Sequence, residues 1–297
     1  MTRAPEPLRA MLVGDLESEL SGWGDPVAFG AGWDGAFYAA ARRSSEELTL
    51  AVRWLEGKSQ TVICRGESLV ASFIQPFPGG VLLVGARCHW HPEGPERNAV
   101  ALDWNGRELG RFTLGDGIQD VRVARDGTIW VSYFDEGVFG NCGWSHPGPP
   151  PIGAAGLVAF SPTGERRFAY DAAAARTDSI CDAYAVNVAN DGDVWVYFYS
   201  EFPIVRIHEG TYQRWALGVG GARALAIRGD RALLFGDHER PGLGRVTQLR
   251  TDGRAAVVAE TTLTGPSGEP LDSARATGIG ERLIFIKDRQ VLAVANW

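Results

Sequence analysis

The sequence is poor in lysine, and its charge balance is acidic. Lys58 and Lys287 are its only lysines, and 29 basic against 36 acidic residues give a formal charge of −7. A chain of this charge does not carry the broad basic surface that neutralises nucleic-acid phosphates. We therefore expect neither a nucleic acid nor an anionic membrane as a partner.

Long apolar runs are also missing. No stretch approaches the ~18 residues of a membrane span, and residues 1–24 lack the apolar core and small-residue cleavage site of a signal peptide. The preference for arginine over lysine is typical of a GC-rich bacterial genome. From these observations we expect a bacterial, cytoplasmic protein, and we expect it to be a monomer.

The chain has four cysteines, and none of them forms a C-x-x-C pair. A reducing compartment keeps such residues as free thiols, so we expect no disulfide. Aromatic residues are plentiful, with ten tryptophans in a chain that is 45% hydrophobic. This composition supplies a large, rigid core.

Two series of turns recur along the chain. Five hairpin turns place glycine before a new strand, at Gly57, Gly106, Gly164, Gly210 and Gly253. Their spacing is about the length of one four-stranded propeller blade. A second series has six members, GWDGAFYAAA, PGGVLLVGA, RDGTIWVSYF, NDGDVWVYFY, RGDRALLFG and IGERLIFIK.

The repeat predicts an all-β fold, a six-bladed β-propeller of four-stranded blades in one domain of residues 1–297. The predicted blades are 25–67, 68–117, 118–180, 181–220, 221–268 and 269–297. Their inner strands are expected near Val27, Ala71, Val121, Val186, Leu225 and Thr277. The only helical candidate is the short stretch 170–178, which is enough for one or two turns.

The sixth unit ends at Trp297 before its fourth strand. An uncovered strand edge invites aggregation, so another segment is expected to complete the blade. The segment LRAMLVGDL precedes the first unit, and we assign Leu8 to Asp15 as the missing outer strand.

The strings DGTIWVSY at 126–133 and DGDVWVYF at 191–198 resemble propeller repeats of the streptogramin-lyase-like and two-component-regulator types. This resemblance implies a fold in which the glycine forms a turn and the tryptophan packs between blades, and it implies no catalytic residue. The string YFDEGVFGN is similar to sequences of uncharacterised bacterial propeller proteins. The chain lacks the early E-G-P and the later P-N-G of the gluconolactonase and senescence-marker family, so its likeness to that family ends at the architecture.

The loops between second and third strands, and those leading from one blade to the next, share one end of a propeller, which we call the loop face. Functional residues concentrate on such loops. The longest insertion, 136–156, lies there, and Trp144 and His146 in it are candidate ligand-binding residues. A stiff cap packed on neighbouring blades is the alternative interpretation of this insertion.

Four candidate metal ligands also map to the loop face: Cys88, His89, His91 and Cys142. His89 and His91 point to the same side of an extended strand, and thiols and imidazoles bind zinc. The spacing matches no established zinc motif, so the sequence requires no metal and no other cofactor.

The beginnings of the inner strands give a second set of candidates. Aligning IQDVRV, AYAVNV, ARALAI and ARATGI places four residues at one repeated position, namely Gln119, Tyr184, Arg223 and Arg275. Asp116 and Asp182 lie just upstream of two of them. Two arginines beside carboxylates suit a small anion such as a carboxylate or phosphoester, although ion pairs between blades would place the same residues there.

Two functions remain open. The first is a noncatalytic recognition propeller that binds a small anionic molecule or a protein partner at the channel mouth. The second is a hydrolase or lyase for a small anionic substrate at the same site, with or without a metal, in which Asp135 or His238 handles a proton. Asp135 and Glu136 are expected at a strand end, where they would point in opposite directions.

Overall fold

A computed structural model describes residues 6–43, 48–65, 70–189 and 192–297. The chain divides into two compact units. Unit A comprises Leu16–Ala172 and Ser179–Ala183, and unit B comprises Met1–Asp15, Ala173–Asp178 and Tyr184–Trp297. The strands form six blades, so the chain is a six-bladed β-propeller, as the repeat predicts.

Glycines with positive φ produce the repeat in both turn series. The five hairpin glycines have φ between +77° and +86°, a region that side chains with a Cβ rarely adopt. At Glu56 and Gly57 both turn residues have positive φ, which is the conformation of the tight hairpin turn that matches strand twist. In the second series the turn glycine of each member also has positive φ, namely Gly35, Gly79, Gly127, Gly192, Gly229 and Gly280. The turn glycines of both series therefore set the blade length.

Unit A contains blades one to three. Blade one consists of β3 (Pro26–Ala31), β4 (Phe37–Arg43), β5 (Leu48–Leu55) and β6 (Lys58–Arg65), in that order. Blade two consists of β7 (Phe73–Phe77), β8 (Gly80–Val84), β11 (Ala99–Asp103) and β12 (Glu108–Phe112), and its insertion forms the ribbon β9 (Trp90–His91) and β10 (Gly94–Pro95). Blade three consists of β13 (Ile118–Val123), β14 (Ile129–Tyr133), β15 (Leu157–Phe160) and β16 (Arg166–Ala169).

Unit B contains blades four to six, and the first two strands of the chain belong to it rather than to blade one. Blade four consists of β17 (Asp182–Val188), which begins in unit A, β18 (Val194–Tyr199), β19 (Ile204–His208) and β20 (Thr211–Trp215). Blade five consists of β21 (Ala224–Arg228), β22 (Arg231–Phe235), β23 (Leu243–Leu249) and β24 (Ala255–Thr264). Blade six consists of β25 (Arg275–Ile279), β26 (Arg282–Lys287) and β27 (Gln290–Val294).

The N-terminal segment adds one strand to each of two blades. β2 (Met11–Asp15) pairs antiparallel with β27 and is the fourth strand of blade six, as the sequence predicts. β1 (Leu8–Arg9) instead pairs parallel with β24 and adds a fifth strand to blade five. The segment assigned to one blade is therefore shared between two, because the bonding edge of β24 is open to it.

The predicted inner strands lie where the repeat places them, except that Ala71 precedes β7 by two residues. Apart from the two N-terminal strands β1 and β2, the strands of each blade fall within the six predicted ranges. The assignment of the whole chain to a single domain stays a prediction. The described residues form two short helices, α1 (Asp135–Phe139) and α2 (Ala172–Ala175). The second lies in the predicted helical stretch, and the first was not predicted.

The two repeat tryptophans differ in burial. Trp195 is 5% exposed and packs in a cluster formed by blades four and five, with its ring stacked on Trp215 at 5.5 Å. Trp130 is only half-buried, and its described ring contact is with Phe168 of its own blade at 5.1 Å. The prediction of a ring buried between blades is confirmed for Trp195, and for Trp130 it is not.

All four cysteines are free thiols. Within the described parts of the chain, neither short helix nor any other has the length and apolar character to cross a bilayer.

Candidate functional site

Arg87 is the centre of a polar network on the loop face of unit A. It follows β8 and forms a bidentate pair with Asp116, from Nε to Oδ1 and from Nη2 to Oδ2, both at 3.0 Å. Its Nη1 donates to Oε2 of Glu136 at 2.5 Å, and Nη2 also contacts Sγ of Cys142 at 3.1 Å. A planar guanidinium offers five donors in a fixed arrangement, so this one residue ties blade two to the loop that follows blade three's second strand.

Asp116 is thereby a structural residue in unit A. It is 4% exposed, and its Oδ1 also accepts the backbone N–H of Cys88 at 2.8 Å. A buried carboxylate is stable only when paired and hydrogen-bonded, and here both conditions are met. To bind a ligand as predicted, Asp116 would have to give up its pairing with Arg87.

The insertion 136–156 begins with helix rather than with an extended strand end. Asp135 and Glu136 lie in the first turn of α1, and Oδ1 of Asp135 accepts the N–H of Glu136 at 2.8 Å. The expectation that they sit on a strand and point in opposite directions is wrong. The strand ends at Tyr133 because the chain turns there into α1.

Trp144 fixes the insertion to blade two. It is 5% exposed, and its indole N–H donates to the carbonyl of Cys88 at 2.7 Å. The backbone N–H of Trp90 donates to the carbonyl of Cys142 at 2.9 Å, and a Cβ added at Gly148 would lie 2.7 Å from the Trp90 ring. The insertion is thus a close-packed cap, and Trp144 is a packing residue rather than an exposed ligand contact. His146 is exposed.

The candidate metal ligands form two separate environments. The rings of His89 and His91 stack at 6.1 Å, and Glu96 lies between them, with Oε2 3.1 Å from Nδ1 of His89. Cys88 is buried, its thiol contacts the carbonyl of Glu96, and burial raises its pKa to about 12. Burial also raises the pKa of the Cys142 thiol, against the opposing effect of Arg87.

Searching the described residues finds no group of three or more histidine, cysteine and acidic side chains arranged to hold a metal ion.

Asp182 and Asp135 are close enough to interact. Burial raises the pKa of Asp182, and the charge of Asp135 raises it further. Gln119 is exposed at a register irregularity of β13. These three side chains belong to unit A, whereas Tyr184 and the two arginines of the predicted set belong to unit B.

Arg223 is engaged by backbone carbonyls in unit B. Its Nη2 donates to the carbonyl of Asp272 at 2.5 Å and to that of Pro241 at 3.2 Å, and its guanidinium lies 4.8 Å from the Phe235 ring. Burial lowers its pKa. The side chain therefore connects blade five to the segment before blade six. Arg275 is exposed at the start of β25.

Tyr184 stands in an aromatic cluster at the ends of blades four and five. Its ring meets Phe202 at 5.2 Å and His238 at 5.9 Å, both nearly perpendicular, and Tyr197 at 6.4 Å. Tyr199, which is 48% exposed, packs on Phe202 at 5.8 Å. Perpendicular ring pairs at these distances are favourable, so the cluster is a defined surface. We call it the Tyr184 cluster.

Phe202 occupies a backbone conformation that bulky residues avoid. Its φ is +53°, and left-handed backbone without glycine is costly unless the surroundings impose it. Here the surroundings are Tyr184, Tyr197 and Tyr199, together with Gly220, where an added Cβ would lie 2.8 Å from the Phe202 ring. Such strain is found preferentially at binding and active sites.

His238 lies beside a network of charges. Asp237 pairs with Arg245 and accepts the backbone N–H of Glu239 at 2.9 Å. Burial acts to raise the pKa of Asp237, but the hydrogen bonds from Arg245 and from the N–H of Arg240 outweigh it, so the pKa is lowered. An acid held in its ionised form in this way is a poor proton donor.

Three residues of these networks, Arg87, Phe202 and Arg245, were not predicted from the sequence. Arg87 precedes the recognised insertion CHWHPEGPERN by one residue, and Phe202 and Arg245 lie outside the aligned turns and strand starts. An alignment of the loops after each second strand would have placed Arg87, Asp135 and Asp237 in equivalent positions. It would not have identified the residues with which they pair.

A model of the YxzG family matches residues 157–290, which is less than half of the chain. No curated protein matches the sequence. Among solved structures, regucalcin from Agrobacterium tumefaciens, described as a calcium-binding protein, is 12% identical over 98% of this chain and 95% of its own, with a TM-score of 0.51.

A structure of YCF48 bound to D1 peptide is 8% identical over 92% of this chain and 79% of its own, with a TM-score of 0.51. A catalytically inactive virginiamycin B lyase from Staphylococcus aureus, crystallised with quinupristin, is 12% identical over 96% of this chain and 97% of its own, with a TM-score of 0.49.

Identities this low establish architecture and not function. The proteins that share this fold include enzymes as well as binding proteins. The predicted resemblance is confirmed at the level of the fold, because the chain is a six-bladed β-propeller.

Proposed function

We propose that this protein is a noncatalytic recognition propeller that binds a small ligand with a planar group on the Tyr184 cluster. The observation that carries the proposal is Phe202, whose strained backbone holds an aromatic ring among three tyrosines at a loop end. Stability alone gives no reason to keep a bulky residue at positive φ, whereas a preformed binding surface does.

The charged candidates support binding over catalysis. Asp116 is paired with Arg87, and Asp237 is paired with Arg245. A general acid or base needs a proton that it can exchange near neutral pH. Although burial acts to raise the pKa of Asp237, the hydrogen bonds from Arg245 and from the Arg240 N–H lower it. These carboxylates serve to hold the loops in place.

Two arginines were predicted to bind an anionic ligand, and one of them, Arg223, is already engaged within the protein. Arg223 donates to backbone carbonyls, so binding an anion would require it to give up those acceptors. We therefore propose that the planar group of the ligand, and not its charge, makes the main contact.

A protein partner remains the second candidate ligand, and Phe139 favours it. This residue ends α1 and is 62% exposed, on a loop that Trp144 fixes to blade two. Exposed aromatic residues on rigid loops are typical of protein contacts.

An enzyme is the other candidate function, because the raised pKa of Asp182 is a property that general acids share.

We propose that the protein is a cytoplasmic monomer and that neither a nucleic acid nor a membrane is among its partners. Size-exclusion chromatography with light scattering tests the oligomeric state, and cell fractionation tests the compartment.

Ligand-observed NMR on a panel of small aryl and alicyclic compounds tests the binding proposal. We expect aryl compounds to bind and Tyr184→Ala to abolish their binding. Tyr212→Ala is the matched control, because Tyr212 lies on the outer strand β20 of the same blade. Equal binding of aryl and alicyclic compounds, or unchanged binding by the Tyr184 variant, would contradict the proposal.

A further inference from the structure

The outer strand of blade one has a long free edge. β6 has 8 residues and lies at the end of its sheet, where it pairs with β5 and with no other described strand. The outer strands β12, β16, β20 and β2 have only 4 or 5 residues. Propellers ordinarily leave short, protected edges, because unpaired N–H and C=O groups attract further strands. The edge of β6 is therefore available for pairing.

Blade five shows that an outer edge of this propeller accepts a fifth strand. Its outer strand, β24, is longer than β6 and pairs in parallel with β1. The backbone N–H of Ala10 also donates to the Thr264 carbonyl at 2.8 Å, and Thr261 Oγ1 donates to the carbonyl of Glu6 at 2.8 Å. The chain thus covers part of one long outer edge with its own N-terminal segment, and no described strand does the same for β6.

A cleft of about 540 Å³ opens beside β6 in unit A. Its lining includes two half-buried tryptophans, one on each side of β6 in the sequence. The residues that matter here are Thr61, Val62 and Ile63 of β6, Trp104 at the turn of blade two, and Glu19 and Trp23 in the segment before β3. This volume is within the range of pockets that bind a partner group, and tryptophans are frequent anchors of protein contacts.

The cleft follows the edge of the strand rather than one of its faces. Val62 and Ile63 are consecutive, so their side chains point to opposite faces of the sheet. Val62 is 6% exposed and belongs to the core cluster on which Trp104 packs, whereas Ile63 is 40% exposed. Both residues line the cleft. A chain segment in the cleft would therefore lie alongside β6, in the position of a fifth strand.

Charge distinguishes between the possible occupants of this edge. Lys58 and Arg65, at the two ends of β6, are its only charged residues; both are exposed, and no described acid forms an ion pair with either. Two copies of β6 paired antiparallel in full register would place Lys58 opposite Arg65 twice, and like charges opposite each other are destabilising. A segment with an acid at each end complements the strand. Because Glu19 lines the cleft, the middle of that segment should carry no acid.

We propose that β6 binds an extended segment of a partner protein as a fifth strand of blade one. The segment carries an acidic residue at each end and apolar residues between them, which pack on Trp23 and Trp104. Main-chain hydrogen bonds give such a complex its affinity, and the side chains give it specificity. The site belongs to unit A, whereas the Tyr184 cluster belongs to unit B. It is a second binding site and does not depend on the proposed function.

Three synthetic peptides of the length of β6, capped at both termini, test this site on the full-length protein. ETVTITVE has the proposed charges, KTVTITVK reverses them, and ETVPIPVE keeps them but lacks two N–H groups, since proline cannot donate to a strand ladder. Fluorescence anisotropy should show ETVTITVE binding at least tenfold more tightly than either of the others. Equal binding of KTVTITVK or of ETVPIPVE, or no binding of ETVTITVE, would overturn the proposal.

Arg65→Glu reverses one of the two charges without touching the core. We expect it to weaken the binding of ETVTITVE at least fivefold and to strengthen that of KTVTITVK. Arg166→Glu is the matched control, because Arg166 is an exposed arginine at the end of another outer strand, β16. It should bind ETVTITVE as the parent does. Equal losses in the two variants would show that the effect is one of net charge and would overturn the assignment to β6.

Backbone amide shifts of the isotope-labelled protein locate the bound peptide. We expect the largest shifts within Lys58–Arg65, and Ile63→Glu, which places a charge in the cleft, should abolish them. Shifts confined to other strands would overturn the proposal. A dimer detected by light scattering that Ile63→Glu dissociates would do the same, because a second copy of the chain would then occupy the edge.

Discussion

Asn187 holds Gly280 by two hydrogen bonds of opposite sense. Its Nδ2 donates to the Gly280 carbonyl at 2.9 Å, and its Oδ1 accepts the Gly280 N–H at 2.9 Å. Nδ2 also donates to the carbonyl of Leu225 at 2.8 Å. Asn187 lies on β17, Leu225 on β21, and Gly280 in the turn after β25. One fully buried amide thus joins three consecutive blades within unit B.

Replacing this amide should destabilise the protein strongly. Asn187→Ala removes three hydrogen bonds to the backbone, although the Gly280 carbonyl still accepts the N–H of Ile227 at 2.9 Å. We expect a loss of about 1–3 kcal/mol in the free energy of unfolding. Denaturant unfolding measures it. Asn105→Ala, in an exposed turn, is the control and should change stability little. A near-neutral Asn187→Ala would mean that water replaces the amide.

The two repeat tryptophans should differ in their contribution to stability. Trp195→Ala removes a ring buried between blades and should cost about 3–5 kcal/mol. Trp130→Ala removes a half-buried ring and should cost about 1–2 kcal/mol. Chemical unfolding of both variants gives the comparison, and equal losses would show that Trp130 is as well packed as Trp195.

Removing residues 1–16 should cause aggregation. The deletion uncovers β27 along its pairing with β2, and it removes β1 from the edge of β24. Open strand edges pair with other chains. Light scattering at increasing concentration detects this, with deletion of residues 1–5, which spares both strands, as the control. A shortened protein that stays monomeric with unchanged melting would refute the closing role.

Replacing Arg223 with glutamine should destabilise the fold. The substitution removes the donor to the Asp272 and Pro241 carbonyls, so we expect a loss of about 1–3 kcal/mol. Arg275→Gln provides the comparison at the equivalent strand start. If thermal unfolding shows no difference between the Arg223 variant and the parent, then the carbonyl contacts do not stabilise the fold and an anion-binding role regains support.

Asp182 should make stability depend on pH in a definite direction. Its pKa is raised in the folded protein by burial and by Asp135. The unfolded chain therefore gives up this proton at lower pH than the folded one. The resulting stability is fully present below the unfolded pKa and is lost as pH rises through the folded pKa. Asp182→Asn should remove that loss.

Melting temperatures of the parent and of Asp182→Asn, measured from pH 3 to pH 8, check this prediction. The variant should gain relative to the parent as pH increases. Asp135→Asn should produce a smaller gain in the same direction, because it removes only the charge repulsion. A variant that loses stability relative to the parent as pH increases would contradict the assignment.

The sequence by itself determined the blades, their number and most of their boundaries. Glycines at positive φ and alternating apolar residues act locally, so their spacing alone specifies where strands turn. The incomplete sixth unit also predicted that residues near Leu12 would close it, because an open strand edge requires a partner.

The tertiary structure alone decided which charges are free and which are paired. Arg87 is 29 residues from Asp116 and 55 from Cys142 in the sequence, and Arg223 finds its acceptors on segments that carry no recognisable signal. Burial and pairing between distant segments depend on how the blades pack, and backbone carbonyls can accept a guanidinium whatever their side chains are. For this reason the strand starts could be aligned from the sequence, whereas the Tyr184 cluster and the cleft beside β6 became visible only in the folded chain.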